Sequence, residues 1–151
     1  RNERNYASMK KIKLDDDDNY KDEDMKSFLL EQGEYNITIE NALNPGLRTL
    51  LTNSFDFIIL DMSLPTFNMV ENKHFKPFGG IDFLQEMKRK KNTTPVVIVT
   101  QYELFGEGNY QRTADSISLE CKESFANYRG IVIYSSTKKT WKKELTEIMG
   151  G

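Results

Sequence analysis

Apolar residues in this chain fall into short blocks whose period switches between that of a strand and that of a helix. Tyr35-Asn36-Ile37-Thr38-Ile39 alternates as a strand does, whereas Met25, Phe28 and Leu29 recur at helical spacing within Lys21 to Gln32. Phe55 to Leu60 is apolar apart from Asp56, and Asp61 ends the run. Pro95 to Thr100 is rich in β-branched residues and also ends on a polar side chain. Both runs suit strands covered on two faces of a parallel sheet. Gly130-Ile131-Val132-Ile133-Tyr134 predicts one more strand.

Helices fill the gaps. Asn44-Pro45 offers an N-cap and a first-turn proline before Leu47, Leu50 and Leu51. Ile81, Leu84 and Met87 mark a helix that closes on Lys88-Arg89-Lys90-Lys91, cations suited to the negative end of its dipole. A further helix is predicted over Ala114 to Ala126, with Ile117, Leu119, Cys121 and Phe125 inward. Thr137 is placed to cap a last one bearing Trp141, Leu145, Ile148 and Met149. Ile12 and Leu14 set the first strand at Met9 to Leu14, running into Asp15-Asp16-Asp17-Asp18. Residues 1–8 show no apolar period and are expected to be a tag remnant or frayed terminus, leaving one domain over 9–149. The pattern is five βα units. It predicts an α/β, doubly wound, flavodoxin-like (βα)5 parallel sheet with strand order 2-1-3-4-5.

Composition narrows the classes. With 151 residues, 38% hydrophobic and 29% charged, the chain suits one globular core. A net charge of -2, from 21 basic and 23 acidic residues, gives no electrostatic case for direct nucleic-acid or membrane binding. Cys121 is the sole cysteine, so no intrachain disulfide or cysteine-rich zinc site can form, and a cytoplasmic setting is expected. His74 is the sole histidine, which argues against a transition-metal site. Gly106-Glu107-Gly108 is too short for a phosphate loop and lacks the lysine that would follow.

Ligands of open α/β sheets gather where the strands end. In the expected order, strands one, three and four are neighbours, so the Asp15 to Asp18 run, Asp61 and Thr100 converge on one edge. Crowded carboxylates repel, and a hard cation relieves them. Mg2+ suits such oxygen ligands. With it, Asp61 is placed to attack a phosphoryl group and become an aspartyl phosphate, while Thr100 hydrogen-bonds a phosphoryl oxygen.

The acidic cluster after strand one, Ile58-Ile59-Leu60-Asp61-Met62-Ser63-Leu64-Pro65 at strand three and Val97-Ile98-Val99-Thr100 at strand four resemble a response-regulator receiver domain. The resemblance runs from about Met9 to Met149. It implies that Asp61 is the phosphoacceptor, that an adjacent acidic pair and the backbone carbonyl of Ser63 hold Mg2+, and that Thr100 is the switch hydroxyl. Counting back from the first helix places the pair at Asp16 and Asp17, with Asp18 the rival for a one-residue slip. The partners implied are a histidine kinase or phosphotransfer protein, then a downstream protein or a second copy at the helix 4, strand 5, helix 5 face. The protein is expected to be a signalling switch in two-component signal transduction, not a turnover enzyme.

Some positions depart from the family. Aligned on Gly130, Tyr134 and Ser135 stand where receivers carry lysine and proline, and Ile131 stands at the usual strand-five aromatic. Lys138 and Lys139 follow but read as solvated charge at a helix start. Met62 to Gly80 resembles the long loop of a divergent receiver subgroup. Two other functions compete: a pseudo-receiver that never holds phosphate and acts as an interaction or dimerisation module, and an aspartyl-phosphate phosphohydrolase. The second needs an aspartate two residues after the nucleophile, where Ser63 stands.

Overall fold

The computed structural model describes residues 4–9, 19–32, 35–40, 47–50, 54–62, 79–106 and 108–150. The strands are β1 (Arg4–Met9), β2 (Tyr35–Glu40), β3 (Phe57–Leu60), β4 (Val96–Thr100), the two-residue β5 (Leu104–Phe105) and β6 (Arg112–Thr113), and β7 (Tyr128–Ile133). The helices are α1 (Asn19–Gln32), α2 (residues 47–50), α3 (Gly79–Arg89), α4 (Ala114–Ser124) and α5 (Thr140–Ile148). Five strands form one parallel sheet in the order β2-β1-β3-β4-β7. Counted as the main strands alone, this is the predicted 2-1-3-4-5.

Alternation along the central strands divides the core in two. Ile58 and Leu60 of β3, with Val96 and Ile98 of β4, pack under α3 and α4, with Leu47 and Leu50 of α2 alongside. Phe57, Ile59, Val97 and Val99 point the other way, onto Met25, Phe28 and Leu29 of α1 and Trp141 and Leu145 of α5. All of β3 and β4 is buried, as a strand covered on both faces must be. Helices therefore close both sides, and only the strand ends can present polar groups to a ligand.

The first strand lies earlier than its apolar pattern predicts. Arg4–Met9 occupies the place expected of Met9 to Leu14, and so takes in residues expected to be a tag or frayed terminus. It is paired on both edges, with Tyr6 opposite Ile37 of β2 and opposite Phe57 of β3. Two main-chain ladders hold a central strand whatever its side chains, so Asn5 and Ser8 are accommodated despite weak strand preference. Residues 10–14 lie outside the described part.

Smaller corrections have local causes. Leu119 of α4 is exposed, because α4 turns Ile117 and Cys121 to the sheet and 119 falls on the far side. Phe125 is buried just past the helix, its N–H returning to the carbonyl of Cys121. Thr137 does not cap α5, which begins after Lys139; Ser135 Oγ instead accepts from the N–H groups of Thr137 and Lys138. The segment after β4 has structure of its own. It folds back as the antiparallel β5 and β6, with Phe105 buried and the Ala114 N–H bonded to the Glu103 carbonyl.

Candidate functional site

Asp61 continues the alternation of Phe57 and Ile59, on the face that carries α1 and α5. It is 4% exposed, and an uncompensated carboxylate there would be costly. Its partner is Lys21, whose Nζ lies 2.8 Å from Asp61 Oδ2 and donates also to the carbonyl of Val99 at 3.1 Å. Lys21 is itself 6% exposed. The ammonium thus joins the ends of β3 and β4 from the first turn of α1. Sequence reading missed it. A signal was present, since Lys21, Met25 and Phe28 share the spacing of one helix face, and a cation in a first turn opposes the helix dipole.

Thr100 ends β4, two residues beyond Ile98, which pairs with Leu60 of β3. It is buried, its Oγ1 accepts from the Tyr102 N–H at 3.2 Å, and its carbonyl accepts from the Tyr134 N–H at 2.8 Å. Asp61 and Thr100 therefore stand at the same edge on adjacent strands. Tyr134, where a lysine was expected from the resemblance, turns to α1 instead. Its hydroxyl donates to Asp24 Oδ2 at 2.8 Å and its ring packs against Trp141 at 5.2 Å. Burial, and then the Asp24 carboxylate, push its pKa up to about 12, so it stays a neutral donor. Lys138 and Lys139 are exposed, as expected of helix-start charge.

The backbone after Asp61 is clamped by α3. Gly80 N–H donates to the Met62 carbonyl at 2.7 Å, and a Cβ on Gly80 would lie 3.0 Å from both the Asp61 carbonyl oxygen and Met62 Cα. Those are main-chain atoms and cannot swing aside. Gly80→Ala is accordingly expected to cost about 1–3 kcal/mol, the usual range for overpacking. Urea unfolding measures this, and an unchanged midpoint would show that the clamp has slack.

Among the described residues no group of three or more histidine, cysteine or acidic side chains converges to hold a metal. Asp16, Asp17, the alternative Asp18, Ser63 and His74 lie outside the described residues. Asp61 is the one expected ligand that is described, and its oxygens suit a hard ion.

No protein-family model matches the chain. Over 142 residues it is 28% identical to the Detocs response regulatory protein DtcB of Enterobacter cloacae, covering 89% of this chain and 95% of that protein. Over 111 residues it is 33% identical to the uncharacterized protein y4jR of Sinorhizobium fredii, covering 70% and 74% of the two. Among solved structures, the response regulator protein TrrA from Thermotoga maritima, in complex with Mg2+-BeF, matches with a TM-score of 0.59 at 16% identity. That match covers 96% of this chain and 98% of the other.

These likenesses support a response-regulator receiver domain.

The receiver carries Asp61 just past the end of β3 and Thr100 at the end of β4, and the buried cation beside them does not come from β7. Tyr134 and Ser135 provide none at the end of β7, whereas α1 brings Lys21 into contact with Asp61. No helix among its described residues is long and apolar enough to cross a membrane.

Proposed function

We propose that this receiver accepts a phosphoryl group on Asp61 from the phosphohistidine of a histidine kinase or phosphotransfer protein, with Mg2+ as its ion. The observation that carries the reading is a buried carboxylate at the carboxyl edge of β3, paired with an ammonium 2.8 Å away. A carboxylate shielded from bulk water and facing a cation is placed to act as a nucleophile. One Asp61 oxygen attacks phosphorus in line, so that an O–P bond forms and the donor N–P bond breaks. The electron pair returns to the imidazole nitrogen. Thr100 would then turn its O–H toward a phosphoryl oxygen while still accepting from Tyr102.

Asp61, Asp16, Asp17 and the Ser63 carbonyl would hold Mg2+, all oxygen donors of the kind this ion takes. When bound, it supplies positive charge to the phosphoryl oxygens. The charge added at Asp61 would pull on the Thr100 loop and so on the surface of α4, β7 and α5. A groove of about 1060 Å3, lined by Tyr102, Leu104, Ile133, Ser135 and Lys138 among others, opens there beside the strand ends. A downstream protein or a second copy would read that face.

The pseudo-receiver reading draws on Tyr134, whose hydroxyl is committed to Asp24. Intact-mass measurement after treatment with acetyl phosphate and Mg2+ separates the two. The wild-type chain is expected to gain one phosphoryl group and Asp61→Asn none. An unmodified wild-type mass in every condition would favour the pseudo-receiver.

A further inference from the structure

We infer that Lys21 is the phosphoryl-binding cation of this receiver, delivered by the first turn of α1 and steadied there by the hydrogen bond from Tyr134 to Asp24. The inference rests on the acceptor reading of Asp61. Lys21 is the one buried cation among the residues whose burial is described, and it already touches Oδ2 of the carboxylate that would be phosphorylated.

Charge bookkeeping supports this role. An ammonium has three N–H donors, and among the described residues Lys21 uses two, on Asp61 Oδ2 and the Val99 carbonyl. When Asp61 becomes an acyl phosphate, its negative charge passes to phosphoryl oxygens two bonds further out. A buried ammonium left without an anion is strongly disfavoured, so Nζ follows the charge. The flexible lysine stem permits so short a shift. The same ammonium offsets charge as it develops on the transferring group, where a preorganised donor is most effective.

The helix that carries it is fixed for the purpose. Asp24 lies one turn along α1 from Lys21 and receives the Tyr134 hydroxyl at 2.8 Å. Phe28, one turn further, meets Trp141 edge to face at 5.4 Å. Tyr134 therefore does not simply delete a strand-five lysine. It holds the helix that supplies another one.

The test uses the whole chain with acetyl phosphate and Mg2+, following intact mass over time for wild type, Lys21→Met and Lys21→Arg. Asp61 attacks phosphorus, the P–O bond to the acetyl group breaks, and the electron pair leaves as acetate. Lys21→Met is expected to lower the initial labelling rate by about 10²-fold, the scale of losing one preorganised donor, with Lys21→Arg in between. A second readout is the Lys21 side-chain NMR signal, assigned by its loss in Lys21→Arg. It is expected to shift when beryllofluoride is added to the wild type. Wild-type labelling with an equal rate in Lys21→Met overturns the inference and leaves the acceptor reading standing. No labelling of the wild type overturns both. Should Lys21→Met fail to fold by circular dichroism, the NMR signal decides, and one unmoved by beryllofluoride overturns the inference.

Discussion

Lys21→Met is expected to destabilise the receiver by about 3–5 kcal/mol, the scale of breaking a buried ion pair from one side. Both side chains are nearly inaccessible, at 8% and 5% exposure, so water cannot replace the lost partner without opening the sheet edge. The comparison that isolates the cause is Lys21→Met combined with Asp61→Asn. With neither charge present no ion is stranded, and the double variant should recover most of the loss. A double variant as unstable as Lys21→Met would mean that packing of the lysine stem, not its charge, holds α1. Mg2+ provides an independent check on the metal reading. Occupying a carboxylate that has lost its ammonium, it should raise the unfolding midpoint of Lys21→Met more than that of wild type, by mass action on the folded state.

Trp141→Ala is the second large effect, expected to cost about 3–5 kcal/mol, as for other buried aromatic truncations. Trp141 is fully buried on α5, with Phe28 of α1 on one side and Tyr134 on the other. Its loss opens a cavity between the two helices that flank the Asp61 face. The damage should therefore reach the site. Tyr134 and Asp24 lose the surface that orients them, and Lys21 loses a rigid mount. Urea unfolding followed by far-UV circular dichroism gives the stability, which matters because Trp141 is the only tryptophan and its fluorescence goes with it. Trp141→Phe should cost far less. A loss under 1 kcal/mol for Trp141→Ala would show that α5 is weakly docked.

The sheet was legible because its central strands announce themselves. Phe57 to Leu60 and Val96 to Thr100 are runs that only a two-sided core accommodates, and they fixed β3, β4 and the edge on which Asp61 and Thr100 end. The helices of the central and last units were legible from their spacing, as Ile81, Leu84 and Met87 or Trp141 and Leu145 show. The first strand was not. Ile12 and Leu14 attracted the assignment, while Arg4–Met9, held by ladders on both edges, carries little periodic signal of its own. Leu119 misled for the opposite reason, being apolar yet outward, as single surface leucines often are.

Sequence alone thus determined the layered α/β architecture, its strand order and the acidic residue at the centre of the edge, because burial on two faces writes itself into the period of apolar residues. What tertiary structure decided is the identity of the counter-charge. Lys21 and Asp61 are forty residues apart, and Tyr134 and Asp24 a hundred and ten. No local pattern records such pairings, since they arise only when crossovers lay α1 against the ends of β3, β4 and β7. The sequence shows a lysine absent from one strand; the fold shows another, from α1, beside Asp61.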